Sequence, residues 1–239
     1  MLEVNKIDAF RGPAHVLHGV SLSVRQHEVV CLVGRNGAGK TTTMESIMGF
    51  LPLASGKVLF HGEDVSALPV HQRALRGMGY APEGCAIFPE LTVAENMMIS
   101  HWMSAKARRR TEAGASGDIE GRVYSVFPEV RDLLGRQGMN LSGGQRKMVA
   151  IARGMALAPT LLLLDEAFEG LAPIIVKRFR DAVLKIEDMG ISLLIAESNL
   201  VNAARIADRL YAIDRGEIIF EGKPELALED ENVMKALRG

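Results

Sequence analysis

An α/β fold on a mostly parallel, doubly wound sheet is predicted for this 239-residue sequence by three features. The run Val29-Val30-Cys31-Leu32-Val33 is continuously apolar, the pattern of a strand covered on both faces. A Gly-rich turn follows it directly and leads into Lys40 to Phe50, which reads as a helix. From Thr160 onward strand and helix patterns alternate again, which calls for parallel strands joined by crossovers.

The elements follow in order. Residues 1–7 alternate polar and apolar like a half-buried strand, and short β-type runs separated by Gly, His and Asp continue to about residue 80. Between about residues 84 and 150 the β signal fades and helical spacing takes over, punctuated by Pro89, Pro128 and the loop Gly114 to Gly117. The α/β pattern resumes with the apolar strand Leu161 to Leu164, a helix from about Ile174 to Met189 and a strand Ser192 to Ala196 introduced by Gly190. Arg209 to Ile213 and Glu217 to Glu221 flank Asp214-Arg215-Gly216, a hairpin pattern. The expected organisation is a single domain: residues 1–83 and 159–239 form the catalytic core with an N-terminal antiparallel β subdomain, and residues 84–158 form an inserted α-helical subdomain.

Composition excludes several classes. Hydrophobic residues at 48% and charged residues at 24% describe a globular chain, neither disordered nor disulfide-stapled. The apolar stretches fall short of the roughly 20 residues of a membrane-spanning helix. The N-terminal residues lack the basic-then-apolar order of a secretory signal, so the expected compartment is the cytoplasm. Cys31, inside an apolar run, reads as a small buried hydrophobe, and neither it nor Cys85 is assigned a metal or a disulfide. A net charge of -1 offers no basic field for a nucleic-acid backbone. The basic run Lys106, Arg108, Arg109, Arg110 reads as a solvated helix end or loop, with anionic lipid headgroups the other option.

Chemistry enters with Gly34-Arg35-Asn36-Gly37-Ala38-Gly39-Lys40-Thr41, which satisfies GxxxxGK[ST] between a predicted strand and a predicted helix. Such a P-loop wraps backbone N–H groups around phosphate oxygens and points a positive helix end at them. Lys40 is placed to reach the β- and γ-phosphates of ATP, and Thr41, followed by Thr42, to hold Mg²⁺. The fold is therefore expected to be a P-loop NTPase core. Asp165 and Glu166 end the second buried strand; Asp165 is the expected metal carboxylate and Glu166 the general base or water-orienting group for attack on the γ-phosphate.

A third element, Leu141-Ser142-Gly143-Gly144-Gln145 ahead of the helix-like Arg146 to Ala156, makes a second anion site at a helix N-terminus. With these motifs in this order, essentially the whole chain resembles the ATP-binding subunits of ABC transporters, whose signature is LSGGQ. That resemblance implies a head-to-tail dimer in which Ser142, Gly143, Gly144 and Gln145 of one subunit close on the nucleotide held by the other. The nearest likeness is to the short ATPase of branched-chain amino acid importers, carried by Pro82-Glu83-Gly84, Ile87-Phe88-Pro89, Leu91-Thr92-Val93-Ala94-Glu95-Asn96 and Glu169-Gly170-Leu171-Ala172-Pro173. It implies that Glu83 takes the Q-loop position near metal and γ-phosphate, where Gln is usual. Cys85 to Phe88 would line a permease-facing surface, with Phe88 equally readable as a core aromatic. Gly170 to Ala172 would cross the dimer.

Two positions depart from the family pattern. The ring that stacks on adenine normally precedes a Gly near the N-terminus; Arg11 precedes Gly12 here, Phe10 stands one place earlier, and Val16 is the further base-flanking residue. Either Phe10 or Arg11 can cover the base, with Phe10 favoured slightly and a simple core role for Phe10 equally open. The switch position after the Ser192 to Ala196 strand carries Ser198 in place of His or Gln; a hydroxyl can bond a γ-phosphate but carries no positive charge.

By resemblance, the expected function is an ATPase that binds ATP and Mg²⁺ and powers import of branched-chain amino acids or a related small solute. It would work at the cytoplasmic face of the cell membrane with integral-membrane permeases, a second ABC ATPase subunit and, indirectly, an external solute-binding protein. A catalytically weakened regulatory subunit and a nucleotide-gated nucleic-acid or ribosome-binding module are the alternatives.

Overall fold

The computed structural model describes residues 1–108 and 119–238. Strands β1 (Leu2–Arg11) and β2 (Ala14–Val24) form a hairpin, β3 (Val29–Val33) leads through the Gly-rich turn into helix α1 (Lys40–Met48), and β4 (Leu53–Phe60) and β5 (Glu63–Asp64) follow. Helix α2 (Val70–Leu75) and β6 (Met78–Ala81) precede α3 (Val93–Arg108), α4 (Ile119–Val126), α5 (Glu129–Leu133), a 3-10 turn at Gly138–Asn140 and α6 (Gly143–Ala156). The chain returns through β7 (Leu161–Asp165), α7 (Pro173–Asp188), β8 (Ser192–Glu197), α8 (Leu200–Ala204), β9 (Arg209–Asp214), β10 (Glu217–Gly222), α9 (Pro224–Glu229) and α10 (Glu231–Arg238).

Two sheets result. The first is antiparallel, in the order β2-β1-β4-β5. The second runs β10-β9-β3-β8-β7-β6; its pairs are parallel except for the β9–β10 hairpin at the edge. Alternate residues of the central strands supply two separate cores. Cys31, Leu162, Leu164, Leu193 and Ile195 face helices α6 and α7, while Val30, Leu32, Leu161, Leu163 and Leu194 face α1 and the antiparallel sheet. Both faces of the parallel sheet are thus covered, by helices on one side and by a second sheet with α1 on the other. This is why its strands read as unbroken apolar runs.

Boundaries shift where local chemistry overrides pattern. Helix α1 stops at Met48, short of the expected Phe50, because Gly49 closes it in the left-handed region (φ +81°). Helix α6 starts at Gly143, ahead of the expected Arg146, because Ser142 caps it. Strands β7 and β8 each run one residue further than expected, to Asp165 and Glu197, so carboxylates end both. Lys106 and Arg108 fall within α3; Arg109, Arg110 and the loop Gly114 to Gly117 lie outside the described residues. Among the described residues no helix is long and apolar enough to cross a membrane.

Candidate active site

The P-loop is shaped by close approach. A Cβ on Gly34 would lie 2.5 Å from the Ile213 carbonyl oxygen, so only glycine lets the turn leave β3 against β9. Gly39 takes φ +114° at the N-cap of α1, a backbone that side-chain-bearing residues rarely adopt, and turns the helix start toward the cavity. Lys40 follows and is buried; its Nζ donates to the carbonyls of Gly34 (2.7 Å) and Arg35 (3.1 Å) and pairs with Glu166 Oε1 at 2.9 Å. Ala38 is buried, while Arg35, Asn36 and Gly37 are exposed on the turn.

The carboxylates gather at the carboxyl ends of β7 and β8, where ligands of open α/β sheets sit. Glu166 is buried in a left-handed backbone (φ +49°), a conformation that costs a bulky residue about 1–3 kcal/mol and fixes where its carboxylate points. Ser198 donates from Oγ to Glu166 Oε1 (2.6 Å) and from its N–H to Oε2 (3.2 Å), and its Oγ also stands 3.1 Å from Asn36 Oδ1. Ser198 therefore meets both the sequence-predicted base and the P-loop. Tyr80 donates to Asp165 Oδ2 at 3.2 Å, and Asp165 Oδ1, although buried, has no hydrogen-bond partner among the described residues. Burial pushes the Asp165 carboxyl up to about 6 against the hydroxyls of Thr41 and Tyr80, with Glu166 and Glu83 pushing the same way. An unpartnered, poorly solvated carboxylate oxygen beside the Thr41 hydroxyl is a hard-oxygen donor set of the kind Mg²⁺ takes.

A cavity of about 590 Å³ joins these groups; it is lined by Asn36, Gly37, Gly39, Lys40, Thr41, Thr42, Glu83, Glu166 and Glu169, with Arg11 and Val16 on one side. The Arg11 guanidinium is held on α1, 3.0 Å from Thr42 Oγ1 and 2.5 Å from Glu45 Oε2. Phe10 does not line the cavity; it stacks on His15 (centroids 4.3 Å apart, planes 9° apart) and is 43% exposed, which removes a core role for it. Phe88 is likewise exposed, with the Arg153 guanidinium 5.1 Å over its ring, and so is not a core aromatic.

The serine-glycine turn lies elsewhere. Ser142 Oγ accepts from the Gln145 N–H and Gln145 Oε1 accepts from the Ser142 N–H, a closed capping box that fixes the start of α6. Ser142, Gly143, Gly144 and Gln145 line a second cavity, of about 600 Å³, with Gly170, Leu171 and Ala172. The two cavities share no lining residue.

Two residues were not singled out from the sequence. Lys147, one turn into α6, donates to the carbonyls of Glu166 (2.5 Å) and Glu169 (2.8 Å), and so ties the serine-glycine helix to the backbone at Glu166. No local pattern gives a long-range lysine-to-carbonyl contact. Glu197 was legible: a carboxylate ends an apolar strand parallel to the Asp165 strand, as Asp165 does its own. Its Oε1 accepts from the N–H groups of Ser198 and Asn199, its Oε2 has no partner among the described residues, and burial pushes it up to about 7, helped by Glu166.

Comparison with known proteins decides the family. The ABC transporter family model matches residues 17–169. The chain belongs to the ABC transporter family. Among relatives of this ABC ATPase, the lipopolysaccharide export system ATP-binding protein LptB of Haemophilus influenzae is 39% identical over 94% of this chain and 91% of its own. The high-affinity branched-chain amino acid transport ATP-binding protein BraG of Pseudomonas aeruginosa is 31% identical over 100% of both chains. The crystal structure of the ADP conformation of MJ1267, an ATP-binding cassette of an ABC transporter, superposes with a TM-score of 0.83 at 27% identity, over 100% of this chain and 98% of that one.

Proposed function

We propose that this ABC ATPase works as half of a head-to-tail pair: the P-loop cavity of one subunit and the serine-glycine turn of the other close on one ATP, and closure drives partner permeases in the membrane. One observation supports it above others, the separation of the two anion-binding turns into cavities with no residue in common. A chain with one P-loop and a second, capped and glycine-lined turn needs a second copy, or a related subunit, to bring the two together.

Each cavity residue then has a task. The N–H groups of residues 35–40 and the Lys40 ammonium receive the phosphates, an incoming triphosphate competing with Glu166 for Lys40. Thr41 and Asp165 would hold Mg²⁺, with Glu83 beside them, and the bound ion would neutralise charge on the β- and γ-oxygens. Once released, Glu166 orients and deprotonates the attacking water, and the Ser198 hydroxyl, 2.6 Å away, sets the direction of its carboxylate. Val16 and either Phe10 or Arg11 are proposed to flank the base.

The cargo reading is import of a branched-chain amino acid or related small solute, at the cytoplasmic face of the membrane with an external solute-binding protein supplying it. The segments at residues 82–96 and 169–173, together with BraG, support it. The higher identity to LptB favours a second reading, service to a lipopolysaccharide exporter. A groove of about 360 Å³ between the sheet core and α6, lined in part by Phe50, Pro82, Cys85, Ala86 and Arg153, is the surface proposed for the permease. The deciding experiment is light scattering of the Glu166→Gln protein: with saturating MgATP it runs as a dimer and without nucleotide as a monomer. A monomer under both conditions overturns the paired-site proposal.

A further inference from the structure

Beside the residues proposed to flank the base, the hairpin β1–β2 carries a second constellation. Asp8, His15 and His18 bring one carboxylate oxygen and two imidazole nitrogens within 4.8 Å of one another, with both histidines exposed. Residues three apart on a regular strand face opposite sides of a sheet. Here Ala9 pairs with Leu17 but Phe10 with His15, so Val16 is an extra residue in β2, and a further shift separates Ala9 from Ile7. These irregularities bring the two histidine rings together, 4.0 Å between centroids. Bulges re-aim side chains in this way.

The carboxylate is oriented as well as present. Asp8 Oδ2 accepts from the Ser55 hydroxyl at 2.6 Å, and Oδ1 accepts from the Gly19 N–H at 3.3 Å and faces His15 Nε2 at 2.9 Å. Such outer hydrogen bonds fix ligand direction around metals. Phe10, stacked on His15, fixes the plane of that ring. Two imidazoles and one carboxylate form a nitrogen-rich set that suits zinc and its late first-row neighbours, and leaves a coordination position for water.

We propose that Asp8, His15 and His18 form a binding site for a divalent first-row transition ion, represented by zinc, on the outer face of the β1–β2 hairpin. None of the three residues lines the P-loop cavity, and zinc uptake is read without nucleotide, so its failure leaves the ATPase proposal standing.

The test is calorimetric titration of zinc chloride into the full-length, chelator-stripped, nucleotide-free protein, with excess magnesium chloride present to occupy the Asp165 side. Wild type takes up zinc at one saturable site beyond any weak background. His15→Ala and His18→Ala each weaken uptake at least tenfold, the glutamine variants at the same positions do the same, and His71→Ala, at an exposed histidine on α2, leaves it unchanged. Cobalt gives a second readout: visible d–d absorption of a low-coordinate ion in wild type and in His71→Ala, lost in His15→Ala. No saturable uptake by wild type, or uptake by both His15→Ala and His18→Ala equal to wild type, or loss in His71→Ala, overturns the site.

Discussion

The two glycine-bearing turns at the starts of α1 and α6 are built to opposite plans. Around the P-loop three charged side chains are engaged within the same subunit: Lys40 with Glu166 and two carbonyls, Glu166 with Ser198, Arg11 with Glu45. The turn at Ser142 satisfies only itself, by a capping box, and presents Gly143 and Gly144 to an open cavity. In the proposed pair the first turn carries the chemistry, which nucleotide releases, and the second supplies donors to a ligand held mainly by the other subunit. On the paired-site proposal the single subunit is expected to be silent, because neither turn alone surrounds a triphosphate; a phosphate-release assay across protein concentration checks it.

Removing the base at the first turn gives the largest effect. Glu166→Gln lowers steady-state ATP turnover by roughly 10²–10⁴-fold, the range for loss of general acid–base catalysis, in a phosphate-release assay, while nucleotide binding persists. Turnover within tenfold of wild type would show that the two turns are not divided into chemistry and clamp.

A smaller effect follows from the buried carboxyls. Asp165 and Glu197 bind protons in the folded state with values near 6 and 7, above their unfolded values, so folding retains protons that the unfolded chain releases. The contribution of these two carboxyls to stability without nucleotide is therefore largest in acid and is lost as pH rises from about 4 to about 7, roughly 3 kcal/mol each. Melting curves across this window check it, and Asp165→Asn and Glu197→Gln each flatten the slope. The Ser142 turn contains no such group, and Ser142→Ala leaves the slope unchanged.

The smallest effect sharpens the second turn. Ser142→Ala removes the cap of α6 and costs about 1 kcal/mol, or ~2–4 °C in the melting midpoint. Ser142→Asn keeps a capping side chain and restores the midpoint. If the hydroxyl serves a partner's nucleotide, ATP-dependent dimerisation is weakened in both variants, as sedimentation velocity would show.

Much of this was legible in the chain, for reasons specific to each element. Val29–Val33 and the glycine-rich turn announced themselves because both faces of β3 are buried and Gly34 admits no side chain beneath Ile213. The α6 start was placed three residues late, since helical apolar spacing begins at Arg146 whereas the cap at Ser142 sets the true first turn. Ser198 could be located by strand position, but its bonds to Glu166 and Asn36 depend on β8 lying between β3 and β7, a sheet order that sequence spacing does not encode. The stacking of Phe10 on His15 is hidden for a related reason: it follows from the shifted hairpin register that pairs the two residues.

Lys147 belongs to the helix that begins at Ser142 and grips the main chain on either side of the turn after Glu166. In a paired assembly that helix answers to one triphosphate and the gripped turn to the other. On that proposal, a displacement at either turn is passed to the other through the Lys147 ammonium group.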